Sequence, residues 1–313
     1  MIPEDLKALL LRQHYKLVGN HSAVKTCEWL RRSIRGQDVC YKQQFYGIQS
    51  HRCLQMTPAV AYCSQKCVFC WRPTEFTLDP AEQDQQGWDE PGYIVDESIK
   101  AHRLLISGFG GYGKADEQKF KEAQEPTQAA ISLSGEPTLY PHLGGLVKAF
   151  HDRGFESTYV VTNGNFPERI EAMSASGCLP TQLYLSLEAP NEALYKKIDL
   201  PLLSDGWQRI NKTLDLFPLL DTKKAIRLTL IKGLNSAPEL IPGFAKLISR
   251  AQPDYVEVKS YMCVGYSRKR GLTLDNMLSQ QEIADYAQSL ADALSYRLAD
   301  QKPESRVALL SSN

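Results

Sequence analysis

Three cysteines, Cys63, Cys67 and Cys70, stand in the order Cys-x3-Cys-x2-Cys, with Phe69 just before the last. That spacing folds three thiolates around one metal centre. A [4Fe-4S] cube held by three thiolates keeps one iron open to an exogenous ligand, which turns an electron carrier into a reaction centre. Tetrahedral zinc wants a fourth Cys or His nearby, and Trp71-Arg72-Pro73 supplies none. A second set, Cys27, Cys40 and Cys53, lies upstream with twelve residues in each interval. Buried-core cysteines show no such regularity. Eight cysteines in 313 residues, without a secretory apolar run at the start, also make a poor disulfide scaffold. The ladder therefore reads as the ligand set of a second three-cysteine iron-sulfur cluster, whose open iron could bind a second small molecule. Cys178 and Cys263 have no partner pattern and read as packing residues.

The elements that must position these thiols can be read from periodicity. β-rich runs occur at Ala59-Val60-Ala61-Tyr62, Ala130-Ile131-Ser132-Leu133, Thr158-Tyr159-Val160-Val161, Leu183-Tyr184-Leu185-Ser186-Leu187, Ile226-Arg227-Leu228-Thr229-Leu230 and Tyr255-Val256-Glu257-Val258. Helical stripes lie between them: Trp207, Ile210, Leu214 and Phe217 after a cap at Ser204, and Ile283, Ala287, Leu290 and Leu294 near the end. Strands alternating with helices predict an α/β fold with parallel pairing, and six such units predict a partial TIM-type (β/α)6 barrel. One strand face is apolar, whereas the other carries Ser132 and Ser134, Tyr184 and Ser186, Arg227 and Thr229, Glu257 and Lys259. A standard barrel packs its interior with aliphatics. Here the polar faces would line the interior, which requires hydrogen bonds to water or a ligand. Residues 1–56 are expected to form a mostly helical N-terminal extension carrying the auxiliary cluster, 57–262 the barrel, and 263–313 a C-terminal helix and strand packing on it. Residues 79–92 read as a loop. The segment 108–113 satisfies G-x-G-x-x-G but follows a helix, so it reads as a mobile substrate-covering loop rather than a dinucleotide site.

Thirty-six Lys plus Arg balance thirty-six Asp plus Glu, so a nucleic-acid partner would have to be met by a local basic patch. Candidates are Arg31, Arg32 and Arg35, then His51-Arg52, then Ser267-Arg268-Lys269-Arg270. No apolar run reaches eighteen residues, so no membrane span is expected and the chain reads as cytoplasmic.

Gly135-Glu136-Pro137 follows the second predicted strand, Thr162-Asn163-Gly164 the third, and Ser186 lies in the fourth. After Cys-x3-Cys-x2-Cys this succession resembles the radical S-adenosylmethionine (SAM) superfamily, in which a Gly-Glu motif passes close to the methionine amino group of SAM and accepts its hydrogen bond. The resemblance narrows to the archaeal tRNA 4-demethylwyosine synthases. It is carried by the ladder, by Cys63-Ser64-Gln65-Lys66-Cys67-Val68-Phe69-Cys70-Trp71-Arg72, by Ser132 to Pro141, by Glu257 to Met262 and by Val264-Gly265-Tyr266-Ser267, and it runs over essentially the whole chain.

The resemblance implies two [4Fe-4S] clusters, and SAM bound among Gly135, Glu136, Pro137, Thr162, Asn163 and Ser186. It implies a lyase reaction in which N1-methylguanosine-37 in the anticodon loop of tRNA-Phe gains two carbons of pyruvate. A 5′-deoxyadenosyl radical would take a hydrogen from the N1-methyl group. The carbon radical would add to the pyruvate carbonyl, pyruvate C1 would leave, and the guanine amino group would close the ring. Pyruvate could chelate the open iron of the second cluster, or form a Schiff base on Lys42 or Lys259. Eukaryotic relatives carry a flavodoxin-like domain that this chain lacks, so an external donor such as ferredoxin or flavodoxin, acting on a monomer, is expected. Two other readings stay open: a radical SAM enzyme with another substrate, of methylthiotransferase or activase type, and a non-catalytic iron-sulfur RNA-binding protein.

Overall fold

The computed structural model describes residues 2–78, 87–111 and 113–312, and its fold is α/β. The chain divides into two compact units. One comprises Met1–Cys63, Pro80–Val161 and Ala172–Gln182; the other comprises Ser64–Asp79, Thr162–Glu171 and Leu183–Asn313.

The first unit opens with α1 (Glu4–Arg12), β1 (Lys16–Val18), β2 (Ser22–Val24), α2 (Glu28–Ile34) and α3 (Tyr41–Tyr46). There follow β3 (Cys53–Thr57), α4 (Pro91–Ile106), α5 (Glu117–Ala123), β4 (Gln128–Ile131), α6 (Leu143–Asp152) and β5 (Ser157–Thr162). β1, β2 and β3 pair antiparallel in turn, whereas β3, β4 and β5 pair parallel with Cys53 opposite Gln128 and Gln128 opposite Ser157. Every residue of β4 is buried, as a parallel strand covered on both faces requires. α6 buries Leu143, Leu146, Val147 and Phe150, one stripe at i, i+3, i+4 and i+7.

The strand expected at Ala59–Tyr62 lies about one strand length earlier, at Cys53–Thr57. The apolar run that suggested it is a turn, while the true strand alternates buried Leu54 and Met56 with Cys53 and Gln55. β1 and β2 add an antiparallel pair within a stretch read as mostly helical. Of the expected loop at 79–92, residues 79–86 lie outside the described residues, and α4 already opens at Pro91, a proline suited to a first helical position. Of the segment 108–113, Tyr112 lies outside them. Ser107–Gly111 continues α4 as a 3-10 turn, and Phe109 packs on Leu30, Ile34, Ile106 and Ala123.

His102 on α4 is 1% exposed, and its Nε2 lies 3.0 Å from the Ala123 carbonyl oxygen, which assigns the proton to Nε2. Burial lowers its pKa from 6.5 to about 4. The folded chain thus holds His102 neutral while the unfolded chain protonates it near its ordinary value. The stability this contributes is present above pH 6.5 and is lost as pH falls toward 4, up to about 3 kcal/mol. Urea midpoints measured across that window should fall with acid in the native protein and less steeply in His102→Gln; equal slopes would contradict the assignment.

In the second unit, the segment from Thr162 opens α7 (Pro167–Ala175), and the remainder runs β6 (Gln182–Ser186), α8 (Glu192–Ile198), α9 (Gly206–Leu216), β7 (Lys223–Leu230), α10 (Ile241–Ala251), β8 (Tyr255–Ser260), α11 (Gln280–Leu294), β9 (Arg297–Lys302) and β10 (Val307–Ser311). Its strand order is β6-β7-β8-β10-β9, with β7 and β8 parallel and β10 antiparallel to both neighbours. α11 starts with a capping box of Ser279 and Glu282. α9 differs from expectation at its start: Asp205, not Ser204, occupies the cap position and makes no side-chain cap bond.

Part of the polar strand face of this unit is satisfied by the protein itself. Arg227 stands opposite Glu257 in register and donates from Nε to Oε2 at 2.8 Å, while Glu257 is fully buried. The guanidinium also lies 4.9 Å from the Tyr184 ring centroid. A buried carboxylate is tolerable only when paired in this way.

Candidate active site

Each cysteine of the upstream ladder stands at the end of an element. Cys27 caps α2 and its sulfur accepts from Leu30 N at 3.3 Å; Cys40 caps α3; Cys53 opens β3. The two equal intervals are thus two returns of the chain, each made of a short helix and a turn. The second return is fixed by Gly47 at φ +73° and by Gln43, whose Oε1 accepts from Ser50 N and Oγ at 3.0 and 2.8 Å, while Ser50 Oγ accepts from Cys40 N at 3.3 Å. The three sulfurs are near enough to feel one another's charge. Burial first, and Cys40 second, push the Cys27 thiol up to about 11; burial, then Cys27 and Cys40, push Cys53 higher still, with Lys42 opposing. None of the eight cysteines forms a disulfide. Three gathered thiols that resist ionisation alone suit a cationic iron-sulfur group, which supplies the compensating charge. Among the described residues no three such side chains surround a single-ion position. A cube binds each thiolate through a different iron and takes a wider spacing.

Lys42, the second residue of α3, is 8% exposed, and its Nζ lies 4.1 Å from the Tyr159 ring centroid on β5. Lys259 is placed differently. It shares a strand face with Glu257 on β8 and donates to the Ser305 carbonyl at 2.8 Å.

Within the first unit, the approach to Cys63 is stitched to the turn after β4. Gly135 has φ +68°, and a Cβ there would overlap the carbonyl oxygens of Ala59 and Tyr62, so only glycine fits. Glu136 N donates to Tyr62 O at 2.8 Å and Ser134 Oγ to Val60 O at 3.3 Å. The Glu136 carboxylate is 2% exposed and accepts from Thr138 N and Oγ1 at 3.0 and 2.6 Å. Pro137 opens the following single 3-10 turn.

Within the second unit, Ser64 to Arg72 are held by four groups of contacts. Asn163 Nδ2 donates to Ser64 Oγ, which donates to Asn165 Oδ1, both at 2.9 Å; Asn163 Oδ1 accepts from Asn165 N, and Thr162 Oγ1 from Gly164 N, both at 3.1 Å. Gln65 reaches Asn165 and Tyr195 at 3.4 and 3.3 Å. Val68 and Phe69 pack on a cluster containing Ile198, Ile231, Tyr261 and Leu272. Arg270 then clamps the far side, donating to the carbonyls of Cys70 and Arg72, while Tyr266 N donates to Trp71 O at 2.9 Å. Gly265, at φ +60°, is the second glycine whose Cβ would strike a carbonyl, that of Trp71. Two interior acids complete this unit: Asp199, within hydrogen-bond reach of Cys67 and pushed by burial up to about 7, and Glu188, raised by burial and by Asp199. Ser186 ends β6 half-buried.

Asn165, Tyr195, Asp199 and Arg270 contact the cysteine loop, and sequence reasoning missed or misread them. The Thr162-Asn163-Gly164 signal pointed to the right turn, but nothing in the sequence marked Asn165 beyond its place in that turn. Most of the expected basic patches prove to be structural. His51 is bonded to Glu122 at 2.6 Å, Arg52 to the Glu125 carbonyl at 3.0 Å, and Arg268 to the Cys263 carbonyl at 2.9 Å. Cys263 packs in the Tyr261 cluster, as expected of it. Because Arg270 holds two carbonyls of the cysteine loop, Arg270→Gln should lower SAM cleavage by about 10–100-fold and alter the cluster's electron paramagnetic resonance signal, with partial recovery in Arg270→Lys. Unchanged cleavage and signal in Arg270→Gln would refute the clamp.

Residues 58–236 match the family model of the Radical SAM superfamily, and residues 250–312 match that of Wyosine base formation. Over 311 residues the chain is 51% identical to an S-adenosyl-L-methionine-dependent tRNA 4-demethylwyosine synthase of Pyrococcus abyssi, covering 99% of this chain and 89% of the relative. The chain belongs to the tRNA 4-demethylwyosine synthase family. A member from Methanocaldococcus jannaschii is 43% identical over 99% of this chain and 96% of its own. A solved structure described as TYW1 with a lysine-pyruvate adduct bound superposes with TM-score 0.88 at 41% identity, covering 100% of this chain and 97% of that one. A second, of archaeal TYW1, gives 0.80 at 37% identity over the same shares. In this chain the residues that match Wyosine base formation include Gly265, Tyr266 and Arg270, the clamp on the cysteine loop. Among the described residues no helix is long and apolar enough to cross a membrane.

Proposed function

We propose that this chain joins two carbons of pyruvate to N1-methylguanosine-37 of tRNA-Phe, forming the tricyclic 4-demethylwyosine base. The observation that carries the reading is that Cys27, Cys40 and Cys53 act on one another electrostatically, with the buried Lys42 opposing at Cys53, in a chain that also bears the Cys63-Cys67-Cys70 motif. A lone radical SAM centre needs no second thiol set.

Cys63, Cys67 and Cys70 would hold one [4Fe-4S] cluster, which supplies the electron that cleaves SAM, and Cys27, Cys40 and Cys53 would hold another. Gly135, fitted against the Ala59 and Tyr62 carbonyls, would present Glu136 to accept from the SAM amino group, and Pro137 and Ser186 would border it. Thr162 and Asn163 shape the same turn through the bonds they make to Gly164, Asn165 and Ser64. Lys42, buried with its Nζ over the Tyr159 ring, would attack the pyruvate carbonyl through its amine nitrogen, forming a C=N bond and releasing water. Lys259, held on the Ser305 carbonyl, is the weaker candidate. A lysine–pyruvate adduct in a structural relative supports this chemistry. Around the reacting methyl group the protein's task is to exclude water and fix one C–H bond against the radical carbon.

The same reading takes β3 to β8 as the six strands of a partial barrel following a helical extension. It takes the chain to act as a monomer in the cytoplasm with an external ferredoxin or flavodoxin as reductant. The test is anaerobic incubation of iron-reconstituted protein with dithionite, SAM, pyruvate and tRNA containing N1-methylguanosine. Loss of that nucleoside with formation of 5′-deoxyadenosine is expected. SAM cleavage with the nucleoside untouched would leave a radical SAM enzyme of different substrate.

A further inference from the structure

The face of the first unit's sheet that carries Cys53 also carries Gln55, because alternate residues of a strand share a face. Parallel pairing extends that row: Gln55 stands opposite Ala130 of β4, and Ala130 opposite Tyr159 of β5. With neighbouring strands about 4.8 Å apart, the Gln55 and Tyr159 backbones lie about 10 Å from each other. Ala130 between them offers only a methyl group, so the two longer side chains face each other across it. Lys42 reaches the same row from α3: its Nζ lies 4.1 Å from the Tyr159 ring centroid, and its charge is felt at Cys53. In the adjacent row of that face, Gln128 and Ser157 are bonded within the protein. Ser157 Oγ donates to Gln128 Oε1, and Gln128 Nε2 donates to Thr127 Oγ1 at 2.9 Å and to Glu156 Oε2 at 3.1 Å. Gln55 differs. It is half-buried, and among the described residues its side-chain amide has no hydrogen-bond partner.

A keto acid held on Lys42 brings a carboxylate that needs a donor of its own. As the amine nitrogen attacks pyruvate C2, the C=O bond gives way to C=N, its oxygen leaves as water, and the carboxylate keeps its negative charge. A glutamine amide supplies two N–H donors without adding a charge that would compete with the adduct. We propose that Gln55 is the specificity-determining residue for pyruvate, its side-chain amide donating to the carboxylate of the Lys42 adduct across the methyl group of Ala130. The inference rests on the lysine–pyruvate reading above, and it adds the group that tells a keto acid from other carbonyl compounds. The reach is sufficient. A carboxylate oxygen of the adduct lies about 3 Å from the lysine nitrogen and a hydrogen bond adds about 3 Å, so the amide must come within about 6 Å of Nζ. A glutamine pointing inward from the far strand of a row about 10 Å wide covers that distance.

The experiment is borohydride trapping of pyruvate on Lys42 of the reconstituted enzyme, read by mass spectrometry as the pyruvate concentration is varied. A parallel series uses methyl pyruvate, which keeps the carbonyl but masks the carboxylate. Gln55→Leu should raise the pyruvate concentration for half-maximal trapping about tenfold, the worth of a hydrogen bond to a charged group. Gln55→Glu, which faces the carboxylate with a like charge, should raise it further, and Gln55→Asn, which keeps the amide, should recover part of the loss. Trapping of methyl pyruvate should respond to Gln55→Leu by less than about twofold. Cluster absorbance confirms folding in each variant. Native trapping with an unchanged pyruvate dependence in Gln55→Leu would overturn the proposal and leave the carboxylate to another holder, such as the open iron of the second cluster. Equal losses for pyruvate and its methyl ester would reduce Gln55 to a packing role and overturn it as well. Absence of trapped pyruvate on Lys42 of the native enzyme would overturn the lysine reading, and the assignment of Gln55 with it.

Discussion

Cys67→Ala is expected to reduce 5′-deoxyadenosine formation below about one-hundredth of the native rate, because two thiolates cannot hold a cube with a single open iron. Iron content should fall from about eight to about four atoms per chain, since the second cluster proposed for Cys27, Cys40 and Cys53 would remain. The reciprocal variant, Cys27→Ala, should lose the same amount of iron yet still cleave SAM, while making no tricyclic nucleoside. The two halves of this prediction separate the roles of the thiol sets. Their independence follows from construction: the ladder rests on the ends of α2, α3 and β3, whereas Cys67 and Cys70 rest on Gln65, Val68, Phe69 and Arg270. If either variant lost all its iron, the separate-cluster account would fail.

Lys42→Gln carries the second large effect. Product should drop by about a thousandfold, roughly 4 kcal/mol of barrier, while SAM cleavage in the absence of tRNA persists. Lys259→Gln should change product formation less than about tenfold, since its amino group is held on the Ser305 carbonyl in the turn between β9 and β10. Borohydride added to the native enzyme with pyruvate should reduce the imine and fix a three-carbon mass on the peptide containing Lys42. A labelled peptide containing Lys259 instead would reverse the assignment.

The cysteine spacing was legible because it is local: the ladder residues recur at the ends of α2, α3 and β3, where the chain returns at equal intervals. Gly135 was legible as part of a motif, although the reason for it, the carbonyls of Ala59 and Tyr62, became visible only in three dimensions. β3 was misplaced because Ala59-Val60-Ala61-Tyr62 is more apolar than Cys53-Leu54-Gln55-Met56-Thr57, in which the ladder cysteine interrupts the expected strand composition. Arg270 was misread for a deeper reason. A guanidinium binds two carbonyls as readily as a phosphate, and the partners at Cys70 and Arg72 lie about two hundred residues away. Asp199 and Asn165 are likewise ordinary residue types whose work depends on partners remote in sequence, which periodicity cannot report.

The most direct measurement is anaerobic turnover with pyruvate labelled at C2 and C3, and separately at C1, using N1-methylguanosine tRNA and the reconstituted native enzyme. The account predicts a tricyclic nucleoside that carries both carbons of the first label and none of the second, formed only when pyruvate is present. A tricyclic product without the C2 and C3 label, or SAM cleavage accompanied by no such nucleoside, would contradict it.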